Sequence, residues 1–393
     1  MATSRSGGEK AGGRAGGQAG GQAAGGRTGG QADRKAGSTV DGTARGSADG
    51  TARDPVTDLR RIAFLLERSL ASSYRVKAFR GAATALLALE PGQIARAAGN
   101  GELTSLKGVG DKTAAVIAQS LAGQVPDYLA NLEQEALEPL ATGGEELRAA
   151  LRGDCHSHSD WSDGGSPPAE MAWSAKELGH DYLVLTDHSP RLKVANGLSA
   201  ERLRRQLDII EVINQQLAPF RVLTGIEVDI LDDGTLDQDP ELLARLDLVV
   251  ASVHSKLAMP AKAMTRRMLT AIENPHTDVL GHCTGRMVRP REGRNPKGRA
   301  ESEFDAAAVF AACQEHSTAV EINSRPERLD PPRRLLRQAV QAGCVFAIDT
   351  DAHAPGQLDW QIIGTSRAAE CGVGADRVIN TWGPDELIAW TKD

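Results

Sequence analysis

From about residue 150 onward, short apolar runs rich in β-forming residues alternate with amphipathic helical stretches. That alternation is the signature of a parallel α/β domain. Seven runs can be read: the first approaches Cys155, and the others span 182–185, 221–226, 246–253, 278–280, 318–322 and 344–348. Between them lie segments of helical period, such as 199–217, where Leu203, Leu207, Ile210, Ile213 and Leu217 share one face. A seven-stranded (β/α) barrel fits this pattern.

Metal-liganding residue types stand at or just past the C-terminal ends of six of those runs. The first ends in Asp154-Cys155-His156-Ser157-His158 and continues to Asp163; the second ends in Thr186-Asp187-His188, and the third in Gly225-Ile226-Glu227. His254, His282 and the pair Asp351 and His353 close three more, so six of the nine histidines fall in this set. Barrel enzymes carry their sites on the loops at the C-terminal strand ends, so these positions should converge. Residues i and i+2 of an extended segment face the same way, which lets His156 and His158 address one metal and turns Cys155 away into packing. His180, His276 and His316 match no such position and read as surface or packing residues. Cys155, Cys283, Cys313, Cys344 and Cys371 contain no C-x-x-C pair, which excludes a thiolate zinc knuckle and makes a disulfide framework unexpected.

Taken together and in this order, the H-x-H, T-D-H, G-I-E, V-H, G-H and D-x-H motifs identify residues 152–393 as similar to the PHP domain, the polymerase and histidinol phosphatase family. The resemblance implies a distorted seven-stranded barrel holding two to three divalent ions. The ligands it implies are His156, His158, Asp163, His188, Glu227, His254, His282, Asp351 and His353. Mixed imidazole and carboxylate ligation suits Zn, Mn or Fe better than Mg. Asp187, beside a ligand, is expected to orient the surroundings of its neighbour. Arg286, close after His282, is the candidate phosphate clamp, with Asn323 and Arg325 as weaker candidates.

The upstream sequence is of a different kind. Residues 1–53 hold 16 of the 42 glycines and almost no bulky apolar residue, and are expected to form a disordered tail. From Val56 a helical face recurs through Leu59, Ile62, Ala63, Leu66 and Leu70, and a second through Val76, Phe79, Ala83 and Leu86. Then Leu106-Lys107-Gly108-Val109-Gly110-Asp111-Lys112 makes a Gly-x-Gly hairpin leading into another helix. Such glycines let backbone N–H groups at a helix start approach a phosphate, with Lys112 adding charge. The stretch from Asp58 to Leu121 resembles the N-terminal helix-hairpin-helix domain of family X DNA polymerases, which implies DNA contact through Gly108, Gly110 and Lys112. About thirty residues separate Leu121 from Asp154, too few for a polymerase core. Val116 stands where lyase members carry a nucleophilic lysine, and Asp237 and Asp239 read as a solvated loop.

The expected organisation is therefore a tail (1–53), a DNA-binding module (54–125), a linker (126–150) and a phosphoesterase domain (151–393). Charge follows this division: residues 55–125 carry nine basic and five acidic side chains, while 146–393 carry 28 and 37. A basic module suits a polyanion and an acidic domain suits cations. The expected function is metal-dependent phosphoester hydrolysis in DNA 3′-end processing, as a 3′-5′ exonuclease or 3′ phosphatase in DNA repair. Its rivals are a small-molecule phosphatase of histidinol-phosphatase type and a non-catalytic DNA-binding scaffold. No apolar run reaches the roughly 18 residues of a membrane span, so a cytoplasmic protein is expected. A basic stretch at 285–300, with Arg286, Arg289, Arg291, Arg294, Lys297 and Arg299 against Glu292, is expected to be a mobile loop over the site.

Overall fold

The computed structural model describes residues 53–289 and 298–392. The glycine-rich tail, apart from its last residue, and the middle of the basic loop lie outside the described residues.

Five helices build the N-terminal module: α1 (Pro55–Arg68), α2 (Ser73–Leu87), α3 (Pro91–Gly99), α4 (Asp111–Leu121) and α5 (Asp127–Glu135). Asp54 caps α1 by accepting from the amides of Val56 and Thr57, which satisfies donors the helix start leaves open. Leu59, Ile62, Leu66, Phe79, Leu86 and Ile117 form one apolar cluster, which α5 completes with Leu129 and Leu132. Val116 is buried in that cluster, so the position where a lyase lysine would stand is a packing site. Between the short 3₁₀ turn Leu103–Ser105 and α4 the hairpin turns at Gly108, whose φ of +89° favours glycine.

After α6 (Glu145–Ala150) come seven strands: β1 (Gly153–Ser157), β2 (Tyr182–Leu185), β3 (Arg221–Asp229), β4 (Leu248–Ser252), β5 (Val279–Leu280), β6 (Ala319–Asn323) and β7 (Phe346–Asp349). All neighbouring pairs are parallel and the spatial order is the chain order, as the expected (β/α) barrel requires. The crossovers carry α7 (Pro168–Glu177), α8 (Ala200–Leu217), α9 (Pro240–Leu243), α10 (Ala261–Ile272), α11 (Ala306–Glu315) and α12 (Arg333–Ala342). A 3₁₀ turn, Pro355–Trp360, then leads to α13 (Gln361–Glu370) and α14 (Pro384–Trp390).

The sheet leaves β1 and β7 unpaired as strands, and buried side chains join them instead. Asp349 accepts from the Cys155 amide at 2.9 Å and from Asn380 Nδ2 at 2.8 Å, while Asn380 Oδ1 accepts from the Ile348 amide at 2.7 Å. Asp154 accepts from the amide of Thr350 at 3.3 Å and from its hydroxyl. Just above, His158 N donates to Ala352 O at 2.8 Å. The seam thereby ties the first pair of ligand candidates, His156 and His158, to the last, Asp351 and His353.

The helical module rests against the barrel next to that seam. Glu67 is the hub: it receives Arg80 Nε and Nη2 at 2.9 and 2.8 Å and the Gly356 amide at 2.9 Å. Arg80 also reaches Glu170 of α7, Arg68 pairs with Asp359 at 2.6 Å, and Trp360 Nε1 donates to Arg68 O at 2.9 Å. A Cβ added at Gly356 would lie 2.0 Å from Phe64 O, so the approach depends on glycine there. Overpacking of this kind costs roughly 1–3 kcal/mol. Gly356→Ala is therefore expected to weaken the joint and split a single unfolding transition into two, checked by calorimetry; one unshifted transition contradicts this account.

Candidate metal centre

The loop after each strand delivers its side chain in a particular way. Beyond β2 the chain runs along β3: Glu227 N donates to Thr186 O at 3.1 Å and Ser189 N to Glu227 O at 3.0 Å, which sets His188 beside Glu227. The loop carrying His158 to Asp163 is held from beneath by buried Asp187. Its carboxylate accepts from Ser159 N at 2.8 Å, Ser159 Oγ at 2.6 Å, Gln206 Nε2 at 2.6 Å and Ser162 Oγ. Asp351 takes φ = +52°, a left-handed conformation held in place as Arg325 Nη1 donates to its carbonyl at 2.7 Å.

All nine positions named from the sequence come together. Glu227, 1% exposed, is the common neighbour. Its oxygens lie 3.4 Å from His156 Nε2, 3.6 Å from His158 Nε2, 2.8 Å from His188 Nδ1, 3.3 Å from His254 Nε2 and 2.9 Å from His282 Nε2. Asp163 Oδ1 lies 3.4 Å from His188 Nε2 and 3.3 Å from His353 Nε2, and Asp351 Oδ1 lies 3.5 Å from His158 Nε2. Atoms bound about 2.0–2.1 Å from one tetrahedral ion sit about 3.3 Å apart, close to most of these separations.

Several of these atoms are buried without hydrogen-bond partners. His156 Nε2, both ring nitrogens of His158, His188 Nδ1, Glu227 Oε2 and His254 Nε2 are all in this state. Groups so placed are costly unless something else binds them. Three groupings among the described residues could each hold an ion: His158, Asp163, His188 and His353; His156, His158 and Glu227; and His188, Glu227 and His254. The donor set thus fits divalent ions.

The charges confirm how much the cluster needs a cation. Burial opposes charge on His188, yet the carboxylates of Glu227 and Asp163 outweigh it and push the imidazole up to about 10. His156 is likewise raised against burial, by Glu227 and Glu321. His158 goes the other way, lowered by burial and by the neighbouring His353 and His188. Burial disfavours the Glu227 carboxylate, but His254, His156 and His188 hold it well below the usual carboxylate range.

Three functional residues went unread in the sequence. Glu321 Oε1 lies 2.6 Å from His156 Nδ1, and Asp229 bonds His254 Nδ1; in each ring this leaves Nε2 turned to the centre. Alternation held the signal for Asp229, which sits two residues from Glu227 on one strand and so faces the same side. Arg328 is the third: its Nε lies 2.9 Å from Asp351 Oδ2, and Nε and Nη1 have no hydrogen-bond partner.

Arg286, expected to reach a phosphate, is engaged elsewhere. Its guanidinium donates to Arg328 O at 3.1 Å and to Leu329 O, and pairs with Glu301 at 3.4 Å. It braces the segment that carries Arg328. Asn323 Nδ2 lies 3.3 Å from Asp351 Oδ2, and Arg325 Nη1 contacts His353 Nδ1 at 3.0 Å. Asp237 is no purely solvated residue: it accepts from Ser189 Oγ at 2.9 Å and Arg191 N at 2.6 Å, anchoring the loop past His188. Asp239 caps α9. In the hairpin, Gly108, Gly110 and Lys112 are exposed, and the Gly110 amide donates to Thr113 Oγ1 at 2.9 Å. The ends of the basic loop are joined where Met287 and Arg299 exchange backbone hydrogen bonds; a position for the loop over the site concerns residues outside those described. Among the described residues no helix is long and apolar enough to cross a membrane.

Comparison with known proteins agrees with both halves. The family model of the helix-hairpin-helix domain matches residues 52–125, and that of the PHP domain matches 154–325. The DNA polymerase/3′-5′ exonuclease PolX of Bacillus subtilis is 39% identical over 242 residues, 62% of this chain but only 41% of that protein. A probable phosphatase of Thermoanaerobacter sp. is 26% identical over 239 residues, covering 58% of this chain and 89% of the relative. Among solved structures, the histidinol phosphate phosphatase of Lactococcus lactis, complexed with zinc, L-histidinol and phosphate, aligns over 57% of this chain and 95% of its own, with 18% identity and a TM-score of 0.39.

Removing the carboxylate behind a metal-binding histidine weakens metal affinity about 10- to 100-fold. Asp229→Ala is expected to show a loss of that size in chelator competition, and undiminished affinity would contradict the role given to it. Because His188 holds its proton up to about pH 10 without metal, uptake at pH 7 should release protons. Affinity should then fall as pH is lowered, measurable by calorimetry in buffers of different ionisation enthalpy.

Proposed function

We infer from a chain that joins a helix-hairpin-helix domain to a PHP domain that it is a metal-dependent phosphoesterase acting on DNA ends, as a 3′-5′ exonuclease or 3′ phosphatase. The observation that carries the reading is the convergence of five imidazoles on buried Glu227, with Asp163, Asp351 and His353 completing the ring of donors. Two to three divalent ions held there, whether Zn, Mn or Fe, would lower the pKa of a water and stabilise a leaving oxygen.

The rest is done by protein groups. Glu321 and Asp229 hold the tautomers of His156 and His254, Asp187 holds the loop between His158 and Asp163, and Arg328, through Nη1, takes a phosphoryl oxygen. Arg328 takes the part that the sequence suggested for Arg286. The hairpin at Gly108, Gly110 and Lys112 contacts the DNA backbone, and the joint through Glu67 and Gly356 keeps that module beside the loop of Asp351 and His353.

A small-molecule phosphatase is the second reading, favoured by the probable phosphatase that matches along 89% of its length. The basic helical module, which such an activity does not need, favours DNA.

Metal-loaded protein offered a DNA 3′ end, a 3′-phosphorylated DNA and histidinol phosphate in parallel should turn over a DNA substrate most efficiently. Preference for histidinol phosphate would overturn the DNA reading. Lys112→Glu should weaken DNA binding and leave hydrolysis of p-nitrophenyl phosphate unchanged; unaltered DNA affinity would remove the hairpin from the interface.

A further inference from the structure

The loop between His158 and Asp163 has a second face. Asp160 and Trp161, within it, combine with Arg202 and Arg205 of α8 to line a cavity of about 430 Å³ that is open to solvent over most of its extent. Its two loop residues each stand two positions from a metal-ligand candidate, Asp160 from His158 and Trp161 from Asp163.

The lining is specific in its chemistry. Trp161 packs against the barrel core and is half-buried. Arg202 donates through Nη1 to Asn196 O at 2.6 Å and Gly197 O at 3.1 Å, and through Nη2 to Trp161 O. These carbonyls consume its outer donors and fix the guanidinium, whose carbon lies 6.0 Å from the centre of the indole ring. The guanidinium lies over the indole, so the two groups offer one combined aromatic and cationic surface to the cavity. The Asp160 carboxylate is exposed and accepts from no other residue among those described. Arg205, paired with Glu201 at 2.5 Å, is 67% exposed and carries positive charge at the rim.

A fixed aromatic face with an adjacent guanidinium plane is how proteins stack bases, and a free carboxylate accepts from base N–H groups. We propose that this cavity receives the base of the nucleotide whose phosphoester is presented to the metal centre, stacking it on Trp161 and Arg202 and reading its amino or imino edge with Asp160. The inference rests on the DNA reading above and gives that site its means of recognising a terminal nucleotide.

One base–aromatic stack is worth roughly a 5- to 150-fold change in binding. With the metal-loaded protein, Trp161→Ala should lower kcat/KM by that amount on a base-bearing 3′ end and leave an abasic 3′ end and p-nitrophenyl phosphate unchanged. Equal losses on all three substrates, or no loss on the base-bearing end, would overturn the proposal. Asp160→Ala removes the acceptor and should lower turnover of cytosine-ended DNA more than of the abasic end; an unchanged ratio counts against base reading. If the protein cleaves no DNA end, the functional reading fails, and dAMP titration judges the cavity separately. Saturable quenching of tryptophan fluorescence that disappears in Trp161→Phe upholds base binding, and its absence from the unsubstituted protein rejects it.

Discussion

Everything at the top of the barrel is arranged around the buried carboxylate of Glu227. Burying an isolated carboxylate is very costly, and five imidazoles within 3.6 Å make the charge tolerable only if some are protonated or cations replace those protons. The imidazoles cannot all be charged, since His158 is pushed down by the rings of His353 and His188 while His156 and His188 are pushed up. Divalent ions between the donors resolve the conflict for every group together. The arrangement is thus a site built for metal, with protons as an imperfect substitute.

Holding so many repelling groups in place requires a rigid frame, and the barrel supplies it unevenly. Six of the seven neighbour relations are ladders of backbone hydrogen bonds, while the β1–β7 gap is closed by Asp154, Asp349 and Asn380. Those side chains stand directly below His156 and Asp351. The helical module is attached on the same flank, through Glu67 to Gly356, three residues after His353.

How much of this was readable in the sequence depends on the range of the interaction. The seven strands were legible because each is a short apolar run with helical segments between; most of the nine donors mark a strand end, while the full set, Asp163 included, came only from the resemblance to the PHP domain. Their meeting follows from barrel geometry alone. Arg328 was not legible: it lies in a segment after β6 with no periodic pattern, and its access to Asp351 depends on Arg286 bracing the carbonyls of Arg328 and Leu329. Arg286 shows the same limit: its position after His282 suggests proximity to the centre but says nothing of the partners that engage its donors. Glu321 was visible as a strand residue, yet its bond to His156 spans strands far apart in the chain. The α3 helix carries too few apolar residues to announce itself, and only packing in the module reveals it.

The most direct test is anomalous diffraction from crystals grown with Mn²⁺, collected at an energy where manganese scatters. The account predicts two or three peaks, each within bonding distance of side chains among the nine, with at least one beside Glu227. A single peak away from Glu227, or none in protein that hydrolyses phosphoesters, would contradict it.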